Sequence, residues 1–405
     1  MSVQQAGLVV VGAGLTGSVL CHLLKKAAPQ LSVQVWDKAR GAGGRYNTWR
    51  PSAGSSMLTN HEMADVTGSG VQEPIERPLA QRPSLHADLG AQYITAFEPE
   101  CHGHYYEAMV DVGVLKEISH DRIHGGRGNH AQQQHWSVPA GMSSIPKFFL
   151  GCAHVEFGRR LRSISVSSDG GAWLLQDENG KEQLAQAVVL TCPVPQVLEL
   201  TGNIREALEP HKEELERVSY SSRYALGLHY SVEAWERLQS VPWNGKYFTP
   251  DVSDVIVWVS ISGLDALRTA QELGPSVVVH TTVPYGLKNA ETSRETVQAT
   301  ILEHLHRLLP ELKGLQPVES KLIFWKWSQV YKGFQHDEEV RPAALQVCDR
   351  PLLLLAGDAF TKSGFDGCVD AAEAACAAII GARPEVPTLT ASSAGVAEQI
   401  AKAQL

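Results

Sequence analysis

Residues 8–17 read LVVVGAGLTG, an apolar run that breaks into a glycine-spaced turn. Gly12, Gly14 and Gly17 form the pattern G-x-G-x-x-G. Leu8–Val11 is continuous and β-branched, which predicts a strand buried on both faces. Ser18–Lys26 has helix-forming character. In a strand–turn–helix setting, Gly12 permits the tight turn and Gly14 lets the backbone approach a pyrophosphate. Gly17 allows the helix to pack closely on the strand. The helix N-terminus then offers free N–H groups and the positive end of its dipole to phosphates. The pattern is common, but Leu31–Asp37, LSVQVWD, reinforces it by alternating like a second strand and ending in an acid. Asp37 lies 20 residues beyond Gly17, the spacing of a carboxylate that accepts ribose hydroxyls. A dinucleotide is therefore the expected ligand.

The remaining chain sets bounds on that reading. Its 405 residues exceed one small core and suggest two intertwined domains. A hydrophobic share of 43% and a charged share of 20% are ordinary for a globular protein. A net charge of −9 argues against nucleic acid as a partner, because phosphate binding wants a basic face. No apolar run is long enough to span a membrane. The seven cysteines are scattered and contain no C-x-x-C pair, which fits a reducing compartment and a cytoplasmic protein. Ala6–Ala13 lacks the basic flank of a signal peptide, and cleavage behind it would remove the glycine turn. No metal-ligand spacing stands out among the histidines, and His102 and His104 in C-H-G-H read as part of a solvated loop.

Along the chain, short strands are expected at 154–157, 164–166 and 172–176, and buried apolar strands at 187–191 and 351–357. A second, more polar set is expected at 223–230, 255–261, 277–283 and 322–327, with helices near 263–272 and 292–308. A small-residue helix should occupy 367–381. Residues 50–86, with their prolines, serines and glycines, read as a long flexible insertion, and 386–405 as a fraying tail. The fold expected is α/β plus α+β, a Rossmann-like nucleotide domain built from discontinuous segments with an inserted mixed-sheet substrate domain. Segments 1–100, 140–205 and 345–385 go to the first, and 101–139 and 206–344 to the second.

Two further motifs narrow the ligand. Gly43, Gly44 and Arg45 follow the ribose carboxylate, and Arg45 is placed to meet the pyrophosphate by charge-assisted bonds. Ala356-Gly357-Asp358 follows the apolar strand PLLLL, at the strand end where open α/β sheets bind ligands. Asp358 suits the sugar-alcohol chain of a flavin. The turn SGFDGC (363–368), with Gly367 and Cys368, leads into a helix whose N-terminus favours negative charge on a reduced flavin ring.

Together VVGAGLTG, the GAGGR turn and the late AGDAF…FDGCVDAA segment resemble the flavin amine oxidase superfamily, whose fold is of the p-hydroxybenzoate hydroxylase type. The resemblance is closer to its renalase family, through ADLGAQYIT (87–95), VSYSSRYALGL (218–228), HTTVPYG (280–286), KWSQV (326–330) and FDGC (365–368). It runs over residues 7–380, while the insertion at 50–86 and the tail after 383 depart from it. The resemblance implies non-covalent FAD, with contacts from Thr16, Arg45, Gln92 and Tyr93 and support for Asp37 and Asp358. Lys38, Gly44, Gly367 and Cys368 complete the expected cofactor set. Covalently flavinylated amine oxidases carry a cysteine ahead of the late GD motif, where this chain reads WSQVYKGFQHD.

The resemblance also implies a reaction. Where amine oxidases place a lysine near flavin N5, the strand RYALGL puts Arg223. Arginine stays charged and is no base at neutral pH. Renalases resemble oxidases of the 2- and 6-dihydro isomers of NAD(P)H, returning NAD(P)+ and passing electrons through FAD to O2 with release of hydrogen peroxide. Hydride transfer of this kind needs no base. Arg223, His280, Tyr220 and Trp327 are the expected catalytic or substrate-side residues, with Tyr224, Trp325, Ser328 and Gln329 as further candidates. Most strand aromatics are core, which is the plainer reading of these. The implied partners are a small dihydronicotinamide and O2, with no nucleic acid, membrane or metal, in a monomer or weak dimer. Competing readings are a catecholamine or monoamine oxidase, and a secreted signalling protein with structural FAD. An NAD(P)-dependent dehydrogenase has no use for the late GD motif.

Overall fold

A computed structural model describes residues 5–52, 86–125, 133–151, 153–262, 274–335 and 341–382. The insertion at 53–85, the helix expected near 263–272, part of the polar segment at 120–134 and the tail lie outside them.

The chain opens with strand β1 (Gln5–Val11), helix α1 (Leu15–Ala27) and strand β2 (Val33–Asp37). Helix α2 (Pro99–Asp111) follows, then strands β3 (His154–Phe157), β4 (Leu161–Val166), β5 (Trp173–Asp177) and β6 (Glu182–Leu190). Next come β7 (Arg223–His229), β8 (Gly245–Tyr247), β9 (Ile256–Ser262), β10 (Ser276–Thr281), helix α3 (Arg294–Leu308) and β11 (Glu319–Trp325). Strands β12 (Ala344–Asp349) and β13 (Leu352–Ala356) and helix α4 (Phe365–Gly381) close it.

The apolar runs form a parallel sheet in the order β3-β2-β1-β6-β13. Leu8, Val9 and Val10 are wholly buried because both faces of β1 are covered. Leu8 and Val10 join a core with α1 and α4, and Val9 and Val11 join another with Trp36 and Trp173. Ala371, Ala372 and Ala375 let α4 lie close to that sheet. Strand β6 has two neighbours on its outer side. Its first half pairs antiparallel with β5, and its second half pairs parallel with β13. β12 runs antiparallel along β13.

A second sheet runs β11-β7-β10-β9-β8, all antiparallel, with Ile123–His124 added parallel to β8. Tyr224, Leu226, Leu228, Val277, Val279, Val259 and Ile261 face Val297, Ile301 and Leu305 of α3. The opposite face carries Ile323, Ala225, His280, Trp258 and Tyr247, directly paired across five strands. A neighbouring row holds Lys321, Gly227, Val278, Ser260 and Gly245, and Arg223 stands opposite Trp325.

Two sequence expectations need correction. Residues 101–139 and 206–344 do not belong wholly with the second sheet. Tyr105, Tyr106 and Met109 of α2 fill the first sheet's core, because their helical spacing makes one apolar stripe. Likewise Leu208, Leu215 and Val218 pack on its other side. The C-H-G-H segment is not a solvated loop: it lies in α2, with His102 buried.

Candidate functional site

The glycine turn forms where β1 ends. Gly12 donates to the Trp36 carbonyl at 2.7 Å, and Ala13 donates to Asp37 Oδ2 at 2.7 Å. The other Asp37 oxygen accepts Ala39 N–H at 2.7 Å. Asp37 thus fixes the turn while keeping lone pairs for a further donor. Helix α1 begins at Gly14 with no side chain capping its N-terminus. Gly44, at φ +57°, crosses directly over it: a Cβ on Gly44 would stand 3.3 Å from the Gly14 Cα. Two bare backbones therefore meet at a helix N-terminus, the form of a pyrophosphate cradle.

The next residue, Arg45, reaches to the end of β13. Its Nη1 and Nη2 donate to Asp358 Oδ2 and Oδ1 at 2.7 and 2.6 Å. Nη1 also reaches the Ser328 carbonyl at 3.3 Å, and Ser363 Oγ donates to Asp358 Oδ2 at 2.7 Å. Burial works against the Arg45 charge, but the Asp358 carboxylate outweighs it and raises the guanidinium pKa. Thr16 is buried and hydrogen-bonds Cys368 in the first turn of α4. Burial and Asp358 push the Cys368 thiol to about 12, so it stays protonated and unreactive at neutral pH. Gly367 has no room for a side chain, since a Cβ would meet the Lys362 carbonyl at 2.1 Å.

The face of the second sheet turned away from α3 is met by residues 88–93, with Leu89 and Trp49 packed over Ala225 and Gly227. Trp325 Nε1 donates to the Leu89 carbonyl at 2.6 Å. Trp258 Nε1 and Ser260 Oγ donate to Gln92 Oε1 at 3.2 and 2.6 Å, and Gln92 Nε2 donates to the Asp88 carbonyl. The hydroxyls of Tyr93 and Tyr247 are 3.0 Å apart, and both rings lie against Trp258. Beside this aromatic wall, Arg223 Nη2 donates to Gln329 Oε1 at 3.0 Å, while its buried Nε has no hydrogen-bond partner. Nε2 of His280 is equally unpartnered. Burial first, then repulsion from Arg223, lower the His280 pKa from its usual 6.5 to about 3.

Comparison with known proteins identifies this arrangement. Residues 123–380 match the family model for flavin containing amine oxidoreductases, and residues 10–109 match the NAD(P)-binding Rossmann-like domain. The chain is 34% identical to mouse (Mus musculus) renalase over 371 residues, covering 90% of this chain and 96% of that protein. It belongs to the flavin amine oxidase superfamily, as a renalase-like member. A putative protoporphyrinogen oxidase from Exiguobacterium has the same fold, with a TM-score of 0.58 at 17% identity over 94% of this chain and 99% of its own. Putrescine oxidase bound to putrescine gives 0.59 at 13% identity over 93% and 99%.

The protein is thus an FAD-dependent oxidoreductase. The cradle fits FAD: an uncapped helix start and the Gly14–Gly44 crossing would take the pyrophosphate, and Asp37 the ribose. The family's other expected contacts fall in different places. Lys38 is exposed and donates to Gln196 at 2.8 Å. Gln92 and Tyr93 sit on the second sheet, with Gln92 occupied by Trp258, Ser260 and backbone carbonyls. Arg45 and Asp358, expected as separate cofactor contacts, grip each other.

Of the substrate-side residues, Arg223 and His280 come together. Tyr220 does not join them: its hydroxyl accepts Val194 N–H at 3.2 Å, near Asp358 and Arg45. Trp327 lies past the end of β11, with the Lys326 ammonium 4.9 Å from its ring. Tyr224 is core, because it alternates with Arg223 and so points to α3. Trp258, Ser260 and Tyr247 were not singled out by sequence reasoning. Trp258 and Ser260 had a signal, since they alternate with the aliphatic Val259 and Ile261.

His280 has a measurable consequence. The unfolded chain protonates it near 6.5 and the native state only near 3. Its contribution to stability is therefore complete above pH 6.5 and is lost as pH falls toward 3. His280→Gln should flatten the fall in denaturation midpoint across that window. An unchanged pH profile would show that His280 is not held neutral.

Proposed function

We propose that this enzyme oxidises the 2- and 6-dihydro isomers of NAD(P)H to NAD(P)+. The overall reaction takes substrate, O2 and one proton to NAD(P)+ and hydrogen peroxide. Non-covalently bound FAD supplies a two-electron acceptor that O2 can reoxidise. The observation that carries the reading is the charge around Arg223 on this sheet face. Around the ring-binding row, Arg223 and Lys321 are its charged groups, and Glu319 stands only in the last row, opposite His229. A protonated amine would be repelled by the half-buried Arg223 guanidinium, whereas a neutral dihydropyridine ring meets no such penalty.

The side chains suit a flat carboxamide ring. Trp258, Tyr247 and Tyr93 supply an aromatic wall. Arg223 Nε offers an unused donor to a carbonyl oxygen, and neutral His280 Nε2 an unused polar atom beside it. Gln92 holds Trp258 and Ser260 in place through its side-chain oxygen. None of these groups need remove a proton, since the hydride leaves with its electron pair.

Anaerobic mixing with 6-dihydro-NAD should bleach the flavin absorbance rapidly, and adrenaline should leave it unchanged. Bleaching by adrenaline and not by the dihydronicotinamide would transfer the enzyme to the amine oxidases.

A further inference from the structure

Two buried atoms on the substrate face have no partner among the described residues, and they are of opposite kinds. Arg223 Nε carries a hydrogen to donate, since its guanidinium stays protonated. His280 is the reverse. The Leu89 backbone takes a hydrogen bond from its ring, and Nε2 is the nitrogen left unpartnered, so the bond runs through Nδ1. Leu89 N–H is already spent on the Asn47 carbonyl at 3.0 Å, so Leu89 can only accept, and Nδ1 holds the proton. Burial and Arg223 keep the ring neutral, which leaves Nε2 with a free lone pair.

Both residues share one face of the sheet. His280 stands opposite Ala225, and Arg223 is two residues back along β7. Diagonal neighbours of this kind are about 7–8 Å apart at the backbone, within reach of one small group between long side chains. The bond from Arg223 Nη2 to Gln329 Oε1 anchors the guanidinium from its other side. A buried donor and a buried acceptor left unmade both cost stability unless a ligand or a water completes them.

The group that completes both is narrowly defined. It must accept at one end and donate at the other. A primary carboxamide does so, with its carbonyl oxygen and its NH2 on one carbon. A methyl ketone accepts from Arg223 but turns a methyl group to the His280 lone pair. An ester or a carboxylate sets a second oxygen against that lone pair. We infer that Arg223 and His280 read the two ends of a primary carboxamide, so that the enzyme takes dihydropyridines bearing this amide and rejects those with a ketone, ester or carboxylate in its place. The inference rests on the dihydronicotinamide reading and adds the atoms that select within that class. His280 is here a specificity residue and takes no part in the hydride transfer.

The test compares 6-dihydro-NAD with its 3-acetylpyridine analogue, which has CH3 in place of NH2, as anaerobic reductants of the FAD-loaded enzyme. The two rings differ in hydride-donor strength, so the informative quantity is the change in their ratio of bleaching rate constants between wild type and variant. His280→Leu should slow the amide about 10–100-fold and the ketone little, and the ratio should fall by that factor. Arg223→Lys should slow both alike and leave the ratio unchanged. Binding of the oxidised dinucleotides to the wild type, read from the flavin absorbance, decides the matter if His280→Leu does not hold flavin. NAD+ should bind about tenfold or more tighter than either its 3-acetylpyridine or its nicotinic acid counterpart. A ratio unmoved by His280→Leu, or equal binding of the three dinucleotides, would mean that the pair holds only a water molecule and would overturn the inference. Wild-type flavin bleached by neither dihydropyridine would instead sink the substrate reading itself, and the inference with it.

Discussion

Gly17→Ala should purify without its flavin. The added Cβ would sit 2.1 Å from the Gly12 carbonyl oxygen, with Thr191 Oγ1 at 3.2 Å behind it. That oxygen belongs to the turn anchored by Gly12 N–H on Trp36. Neither partner is a flexible side chain, so the helix must move away from the strand or the turn must open. Overpacking of this kind costs about 3 kcal/mol, and each 1.4 kcal/mol is about tenfold in affinity. FAD affinity should therefore fall about a hundredfold, seen as loss of visible absorbance per chain after gel filtration. Gly41→Ala is the control, since a Cβ there meets nothing within 4 Å. Full flavin content in Gly17→Ala would show that the turn has slack that its geometry denies.

Asp358→Ala should be the second large loss. It strands Arg45 beside a carbonyl, having removed both oxygens of a bidentate pair. Removing one partner of a buried ion pair costs about 3 kcal/mol, chiefly because the other charge stays desolvated. Removing both is milder. The double variant Arg45→Met with Asp358→Ala should thus recover part of the stability lost in Asp358→Ala alone. Denaturant midpoints and flavin content check this together. If the single variant loses less than about 1 kcal/mol, or the double loses the plain sum, the two groups act separately.

What could be read from the sequence was local. The strand–turn–helix at Leu8–Lys26 and the acid at Asp37 announce themselves because their signals lie within one βαβ unit. The segment Ala356–Gly381 was legible for the same reason. The substrate face was only half legible. Arg223 stood out through the family resemblance and His280 by residue type, but the row that joins His280 to Trp258 and Tyr247 depends on register between strands, which alternation within one strand does not fix. Tyr220 and Tyr224 flank Arg223 closely in sequence, yet strand parity sends Tyr224 to the core, and Tyr220 lies on a separate two-stranded pairing with Val330. The meeting of Arg45 with Asp358 was also beyond sequence reading, because each had a sufficient partner in the cofactor. His102 misled for a further reason. Its neighbours in C-H-G-H look solvated, while its partners Asp366 and Asp370 come from the far end of the chain.

The double seating of β6 sets the order in which this protein can be made. Through residue 190 the strand has β1 and β5 beside it, but the outer edge of its second half stays open until β13 is synthesised. Arg45 waits across 313 residues for Asp358. A ribosome must therefore release nearly the whole described chain before the cofactor cradle can close, and a product stopped short of residue 352 would emerge with an unsealed strand edge. Such edges pair with other chains. Early termination should consequently yield aggregates rather than a smaller flavoprotein.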